Sequence, residues 1–386
     1  MREVTEGEVD VMGPDGLLFR TQEVGSLSRA PFLKGGNTEE RATQARYWGK
    51  VLDVENYDEL VRLIRNGIDQ AKLLRWASLY GIRFHEAAGL DVVWDGEQRR
   101  VEMYEHSVRN VENFVFTGRV KVWDAETYNK AKLVSAPRLR SSAYIEEFLF
   151  AKSKARRELK VPVTGPYTIM DWSFDEFFVK RYSHLEDPGE RRRRSRLDFL
   201  YSLIENVMKP ELRALVEAGA TRIQVDEPAL TTKPDEVRDY VEAFNEMVKG
   251  LNATWTLHVC YSDYSLLLPH LTEMRIHELS IECANRDTVE LGVEERSRRG
   301  YSILKTFSEQ GVAFKVAPGV IDVHTDFIEP PELVRDRLLY SARLMGDPTK
   351  VIACNDCGLR TRRWEVAFEK ERSLVKGAEL ARRALT

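Results

Sequence analysis

From Val161 to the C terminus, short apolar runs alternate with long amphipathic runs. The apolar runs are VPVTG, TRIQVD, ATWTLHVC, HELSIE, VAFKVAPGV and KVIACN. Short apolar runs bounded by turn residues predict buried strands, and the runs with helical spacing between them predict crossover helices. A parallel sheet whose strands are joined by helices is therefore expected, which places the chain in the α/β class.

Two earlier apolar runs, LLFRTQEVGSL and LDVVWDGE, bring the number of predicted strands to eight. The predicted strands end at Gly25, Asp95, Thr164, Asp226, Cys260, Glu282, Ala317 and Cys354. Eight strands alternating with helices predict a single (β/α)8 TIM barrel, which we expect to span residues 18–386. Residues 1–17 are expected to form an N-terminal arm, and the segment near 101–140, with NFVFTGRVKVW, an inserted ribbon.

The composition argues against several kinds of partner. The 386 residues include 58 Lys and Arg against 62 Asp and Glu, and this net charge of −4 predicts no nucleic-acid surface. No apolar run reaches the length of a membrane span, and the N terminus lacks the pattern of a signal peptide. Four cysteines without the spacing of a disulfide framework indicate a reducing compartment. We therefore expect a cytoplasmic protein, with no membrane segment, that acts on a small molecule.

The strand ATWTLHVC ends in two metal-ligand types, His258 and Cys260. One residue separates them, so both side chains leave the same face of a strand. Glu282 and Cys357 follow two other predicted strands, which places them at the same edge of the sheet. Imidazole, thiolate and carboxylate together are typical ligands of Zn²⁺. A His-X-Cys pair alone is more often a core histidine beside a buried thiol, so the zinc prediction depends on all four residues.

Other residues at predicted strand ends also have an ordinary structural interpretation. Asp226 and Glu227 are typical of helix-capping acids, and Glu97 is typical of a solvated loop acid. Trp172 begins an aromatic stretch that is more typical of core or lid packing than of a ligand platform. His324 is compatible with a simple turn cap. From the residues alone, these alternatives stay open.

The chain resembles a known family in seven successive motifs between about Arg20 and Arg362. They are VGSL, GPYTIMDWSF, IQVDEPAL, HVC, LSIE, PGVIDVH and NDCGLRTR. In this order they resemble the C-terminal catalytic barrel of cobalamin-independent methionine synthase. The resemblance implies a methyltransferase of methionine biosynthesis, which transfers a methyl group to the thiol of homocysteine with the help of zinc.

The resemblance also implies a role for each matching residue. The zinc ligands would be His258, Cys260, Glu282 and Cys357. Glu97 and Asp226 match the acids that bind the α-amino group of homocysteine, and Val24 and Ser26 match loop contacts to that substrate. His324 matches the proton donor, and Trp172 matches an aromatic that lies against the folate ring system.

Three further features are expected to be structural. Cys354 forms a C-x-x-C pattern with Cys357, but the family motif contains only the later cysteine, so Cys354 is expected to be a small buried residue. Cys283 follows Glu282 directly and should face the other side of the strand. The run ERRRRSR at Glu190–Arg196 is expected to be a solvated helix face, with docking of an acidic partner protein as the alternative.

The methyl donor is the point on which the chain departs from the resemblance. Folate-using members carry an additional N-terminal barrel that this sequence lacks, which favours a methylcobamide, free or carried by a corrinoid protein, over 5-methyltetrahydrofolate. His324 and Trp172 favour the folate, because an amine leaving group needs a proton. Two alternative functions do not involve homocysteine. One is a zinc alkyltransferase that acts on another thiol such as coenzyme M, and the other is a structural zinc barrel without catalysis.

Overall fold

A computed structural model describes residues 16–123, 126–268 and 270–385. Most of the predicted N-terminal arm therefore lies outside the described residues. The strands are β1 (Val92–Val93), β2 (Val111–Trp123), β3 (Glu126–Leu139), β4 (Glu158–Leu159), β5 (Val161–Thr164), β6 (Phe174–Asp175), β7 (Arg222–Asp226), β8 (Thr254–Val259), β9 (Glu278–Ile281), β10 (Lys315–Ile321) and β11 (Cys354–Asn355). The α-helices are α1 (Thr38–Val51), α2 (Tyr57–Asn66), α3 (Gln70–Ala88), α4 (Met103–Val108), α5 (Ile145–Lys154), α6 (Pro166–Asp171), α7 (Phe178–Arg181), α8 (Pro188–Leu203), α9 (Lys209–Glu217), α10 (Val237–Val248), α11 (Ile303–Glu309), α12 (Pro331–Met345) and α13 (Trp364–Leu385).

The centre of the molecule is a parallel sheet. Six strands pair in the order β11-β10-β9-β8-β7-β5, and β1 pairs with β4 in a separate parallel ladder. Val161, Val163, Ile223, Val225, Leu257 and Leu279 are fully buried, as expected for strands covered by helices on the outside. The predicted α/β class with a parallel sheet is confirmed, and it brings the carboxyl ends of the strands to one edge.

The first predicted strand, LLFRTQEVGSL, is present only as three isolated bridges, at Thr21, Gln22 and Leu27. Thr21 pairs with Ala353, and Gln22 pairs with Val92. Phe19, just before them, has a left-handed backbone with φ of 47°. Because Thr21 and Gln22 pair with different strands, this segment forms no continuous ladder with either neighbour. The segment that follows carries Val24 and Ser26 and ends at Leu27, which pairs with Leu359.

An antiparallel ribbon interrupts the alternation of strands and helices where the insertion was predicted. Strands β2 and β3 pair from Val111↔Leu139 onwards, and β6 joins β3 in parallel through Lys132↔Phe174. Tyr128, Ala131 and Leu133 on β3 are buried in the main core. The ribbon is therefore anchored to the body of the protein.

Local residues determine where α3 begins and ends. At the start of α3, the Asp69 carboxylate accepts a hydrogen bond from the backbone N–H of Lys72. The same helix ends at Gly89, whose φ of 98° is left-handed. α8 continues into α9 through one π-helical turn at Ile204–Met208, so the long predicted helix is interrupted but not broken. None of the helices within the described ranges is long and apolar enough to cross a membrane.

Gly81 sets how closely α3 approaches the loop after β1. A Cβ atom at Gly81 would lie 2.1 Å from the backbone oxygen of Asp95. Alanine normally stabilises a helix interior by about 0.5–1 kcal/mol relative to glycine. Here we expect Gly81→Ala to lower the free energy of unfolding by about 1–3 kcal/mol, because backbone must move.

Urea denaturation measures this effect, and Gly189→Ala in α8 is the matched control. A Cβ at Gly189 would meet its nearest neighbour at 3.4 Å, which is an ordinary contact. The control should change stability by less than about 0.5 kcal/mol. Equal stabilities for the two variants would show that α3 can move away from the loop without cost.

Candidate active site

A cavity of about 150 Å³ lies at the carboxyl ends of the parallel strands. Nine of the ten predicted site residues line it: Val24, Ser26, Glu97, Trp172, Asp226, His258, Cys260, His324 and Cys357. The tenth, Glu282, is buried next to it and accepts a hydrogen bond from the backbone N–H of Tyr261 at 2.9 Å. Residues predicted from separate parts of the chain therefore meet at one place.

The cavity is lined by a cluster of three potential metal ligands. The ligand atoms of His258, Cys260 and Cys357 all lie within 4.8 Å of one another. The Nδ1 atom of His258 pairs with the Ser280 hydroxyl at 3.1 Å, while Nε2 is buried without a hydrogen-bond partner among the described residues. Tetrahedral ligands of zinc lie roughly 3.5–4 Å apart. The orphaned nitrogen and the two sulfurs therefore form a donor set that fits zinc.

The two thiols of the cluster share a proton. A hydrogen bond from the Cys260 thiol, together with His258, lowers the pKa of Cys357 to about 5 although burial opposes this. The same hydrogen bond, added to burial, raises the pKa of Cys260 well above its ordinary value. Burial lowers the pKa of His258, but the Cys357 sulfur and nearby carboxylates raise it above the ordinary value. One sulfur therefore carries negative charge near neutral pH even without a metal ion.

Glu282 lies outside the three-residue cluster in this structure. Its carboxylate accepts a hydrogen bond from the Asn285 amide at 3.2 Å, and its Oε1 lies 3.5 Å from His324 Nε2. The Nδ1 atom of His324 lies 3.3 Å from the Tyr261 hydroxyl. Interaction with Glu282 raises the pKa of His324, and burial only partly offsets this. Both ring nitrogens of His324 therefore have a partner, and the Glu282 carboxylate stabilises a proton on the ring.

Two acids, Glu97 and Asp226, also line the cavity. Glu97 is only 7% exposed and its Oε1 accepts a hydrogen bond from Arg100 Nη1 at 3.0 Å, so the interpretation as a solvated loop acid is wrong. Burial raises the pKa of Asp226 to about 7, although His258 acts in the opposite direction. Two acids in one cavity favour a ligand that carries positive charge.

Glu227, and not Asp226, is the helix-capping acid of the VDEP motif. Its carboxylate accepts hydrogen bonds from the backbone N–H groups of Tyr167 and Thr168 at the start of α6, at 3.0 and 2.7 Å. A Cβ at Gly165 would overlap this carboxylate, at 2.1 Å. The capping interpretation therefore holds for one of the two neighbouring acids, and leaves Asp226 available for a ligand.

Trp172 is packed and accessible at the same time. Its ring stacks on Tyr128 of β3, with centroids 5.2 Å apart and an angle of 28° between the planes. Of the aromatic residues that follow, Phe178 is buried in the core, whereas Phe174 is 50% exposed. The ribbon therefore fixes the orientation of an aromatic face that lines the cavity.

The residues expected to be structural are found away from the ligand cluster. Cys354 is fully buried against Val24, Ala317 and Ile352. Cys283 is fully buried in the main core. Arg192 and Arg193 on α8 are exposed, but Arg196 turns inward and its Nε lies 2.7 Å from Glu236. The arginine run is therefore solvated at Arg192, Arg193 and Arg194, whereas Arg191 and Arg196 are half-buried.

Sequence reasoning missed three residues that support this site. They are Gln224, which hydrogen-bonds to Asp226; Tyr261, which contacts His324; and Asp356, which accepts hydrogen bonds from the backbone N–H groups of Cys283, Ala284 and Asn285. Gln224 was recognisable, because it precedes Asp226 by two residues on the same strand face. The other two act across loops, and their partners are set only by the tertiary fold.

Comparison with known proteins identifies the family. The family model described as "Cobalamin-independent synthase, Catalytic domain" matches residues 64–380. A protein named methionine synthase from Thermoplasma volcanium is 34% identical over 92% of this chain and 95% of its own length. The chain belongs to the cobalamin-independent methionine synthase family. It is therefore a member of a family of methyltransferases of methionine biosynthesis.

Further relatives agree with this family assignment. A methionine synthase from Thermococcus kodakarensis is 35% identical over 87% of this chain and 90% of its own length. A solved B12-independent methionine synthase from Shewanella sp. W3-18-1, in complex with selenomethionine, superposes with a TM-score of 0.69. That match covers 95% of this chain and 99% of the other at 24% identity, and it shows a shared fold.

Proposed function

We propose that this methionine synthase family member transfers a methyl group to the thiol of homocysteine and releases methionine, using zinc. The observation that carries the proposal is one cavity lined by a His-Cys-Cys cluster and by two acids. A thiol substrate with an ammonium group matches both sets of residues. The names of the relatives support the same reaction.

The two acids are proposed to bind the substrate ammonium. Asp226 is held partly protonated near neutral pH by burial, and an incoming cation would stabilise its charged form. Glu97 already forms an ion pair with Arg100, so its negative charge is partly compensated before the substrate arrives. Val24 and Ser26 line the same cavity and are proposed to contact the amino-acid end of the substrate.

The metal is proposed to be held by His258, Cys260 and Cys357, with Glu282 as the fourth ligand. A bound Zn²⁺ would lower the pKa of a substrate thiol, so that the reactive thiolate predominates at neutral pH. Two sulfur ligands place negative charge beside the substrate sulfur and keep it nucleophilic. Cys357 already favours the thiolate, because a hydrogen bond from the Cys260 thiol lowers its pKa, whereas the pKa of Cys260 is raised and its proton would be lost on metal binding.

His324 is proposed to supply a proton on the donor side of the cavity. Its contacts with Glu282 and Tyr261 orient the ring, and Glu282 raises its pKa above the ordinary value of histidine. Trp172 offers an aromatic face for the donor. Both features suit 5-methyltetrahydrofolate, whose amine leaving group needs a proton.

We nevertheless propose that the preferred methyl donor is a methylcobamide, either free or delivered by a corrinoid protein. The cobalt of this donor leaves as a stable reduced ion and needs no proton from the protein. The aligned segments cover 95% and 90% of the lengths of the two methionine synthase relatives, so these relatives extend little beyond the alignment. The chain therefore matches proteins of single-domain length.

A donor assay tests the reaction. The zinc-loaded protein is incubated with homocysteine and either methylcobalamin or 5-methyltetrahydrofolate, and methionine is measured. We expect methionine from methylcobalamin at the higher rate. Product from the folate alone would reverse the choice of donor, and product from neither would contradict the proposed function.

Replacing the wall acids tests the choice of thiol. We expect Asp226→Asn and Glu97→Gln each to raise the KM for homocysteine about tenfold or more, because a charged hydrogen bond to the ammonium is lost. A thiol without an amino group is the control acceptor, and its KM should change little. Coenzyme M would need a cationic wall for its sulfonate, so a preference for that thiol would favour the alternative alkyltransferase.

The structural zinc alternative is less well supported by the arrangement of the cluster. A structural zinc site is closed by four protein ligands. Here three ligand residues lie together in a cavity, and Glu282, the proposed fourth ligand, lies outside this cluster with its Oε1 3.5 Å from His324, so that a substrate sulfur could take its place. An open position for a substrate sulfur fits catalysis better.

We further propose a single (β/α)8 barrel spanning residues 18–386, preceded by an arm at 1–17. Supporting this, parallel bridges from Thr21 and Gln22 connect the sheet at Ala353 to β1 at Val92. β1 pairs with β4, which lies next to β5 in the chain.

The four free cysteines suit a reducing cytoplasm.

A further inference from the structure

We propose that Gln224 is a positioning residue, which holds the Val24 carbonyl and the Asp226 carboxylate in place to receive the ammonium group of homocysteine. The inference rests on the proposed function and goes further by naming the group that arranges the substrate end of the cavity. Gln224 lies on β7, two residues before Asp226, so both side chains leave the same face of the strand. It is fully buried.

A single amide group connects the two proposed substrate contacts. Gln224 Nε2 donates to the carbonyl oxygen of Val24 at 2.7 Å and to Asp226 Oδ1 at 2.7 Å. Val24 belongs to the first described segment of the chain, 200 residues away from Gln224 in sequence, and Asp226 is the last residue of β7. The amide therefore fixes the distance between two oxygens that no local structure would hold together.

The chemistry of the two partners explains why the residue is glutamine. A backbone carbonyl and a carboxylate oxygen are both acceptors, so the bridging group must donate two hydrogen bonds from one atom. The NH₂ group of an amide does this without adding charge. A glutamate has the same shape but donates neither bond when ionised, and a methionine has similar length with no donor at all.

The bridge also leaves capacity for a ligand. A carboxylate and a carbonyl oxygen each have more than one acceptor direction, and Gln224 uses one on each. An ammonium group can therefore bind to both Val24 and Asp226 while the amide holds them. Without the amide, the carboxylate is free to rotate and the segment with Val24 loses its connection to β7.

The test compares Gln224→Met and Gln224→Glu with Gln22→Met. Gln22 is the matched control, because it is also buried, at 1% exposure, and its amide has no hydrogen-bond partner in the described part of the chain. Homocysteine affinity is measured by calorimetry, and KM and kcat are measured with the zinc-loaded protein. Thermal unfolding and zinc content show whether each variant is intact.

For both Gln224 variants we expect the Kd and the KM of homocysteine to rise about tenfold to a hundredfold, with kcat at saturation and zinc content nearly unchanged. Gln22→Met should leave all four quantities within about twofold. The KM of a thiol without an amino group should not rise in any variant. This contrast distinguishes positioning of the ammonium contacts from a general distortion of the cavity.

Two results would overturn the inference in different ways. Gln224 has no positioning role if the Gln224 variants bind homocysteine as well as the wild type does. The same conclusion follows if the variants weaken the binding of homocysteine and of the control thiol equally. In both cases the proposed function stands. If the wild type does not bind homocysteine at all, the proposed function fails and the inference fails with it.

Discussion

Cys357→Ser is expected to remove most of the bound zinc and to lower kcat/KM by about a thousandfold or more. Serine does not ionise near neutral pH, so the cluster would lose one of its two sulfur ligands and its negative charge. A thousandfold loss corresponds to about 4 kcal/mol of transition-state stabilisation. Metal analysis of the purified variant and a methionine assay measure the two effects.

The matched control is Cys354→Ala in the same C-x-x-C pattern. Cys354 is fully buried against Val24, Ala317 and Ile352, and a smaller apolar side chain suits this site. We expect zinc content and activity within about threefold of the wild type and a loss of stability of about 1 kcal/mol. If Cys354→Ala lost its zinc and Cys357→Ser kept it, the ligand assignment would be wrong.

Lys370→Met is expected to lower the free energy of unfolding by about 3 kcal/mol or more. Lys370 lies on α13 with no exposure, and its Nζ donates to Asp322 O at 2.8 Å, to Glu329 Oε2 at 2.9 Å and to Phe327 O. All three donors of the ammonium group are used. Methionine would leave the buried carboxylate of Glu329 without this partner, which is costly.

The same substitution should also affect catalysis, because the loop held by Lys370 carries His324. The His324 backbone N–H donates to Asp322 Oδ1 at 2.8 Å, so a shift of Asp322 moves His324. Lys376→Met is the control, since Lys376 is exposed on the same helix and should change stability by less than about 0.5 kcal/mol. Urea denaturation of both variants measures the difference, and equal midpoints would contradict the role assigned to Lys370.

The sequence was sufficient to predict features that depend on local pattern. Residue types at the ends of apolar runs identified His258, Cys260 and Cys357, because the carboxyl ends of parallel strands meet at one edge. The alternation of runs predicted the parallel sheet, and NFVFTGRVKVW predicted the ribbon that supports Trp172. These inferences need only the periodicity of the strand and the order of the elements.

Features that depend on contacts between distant segments could not be predicted. The VDEP motif contains two adjacent acids, and only the structure shows that Glu227 caps α6 while Asp226 faces the cavity. The first strand was predicted as regular, but its residues divide their pairing between two neighbours. Lys370 binds the carbonyl of Asp322 and Gln224 binds the carbonyl of Val24, both far away in sequence, so no local pattern indicates these partners.

The most direct test of the account is X-ray absorption at the zinc edge, on protein prepared without chelators, before and after homocysteine is added. We predict about one zinc ion per chain with two sulfur ligands, and one additional zinc–sulfur bond when homocysteine is present. A protein that takes up no zinc, or a sulfur count that homocysteine leaves unchanged, would contradict the claim that this cavity activates a thiol.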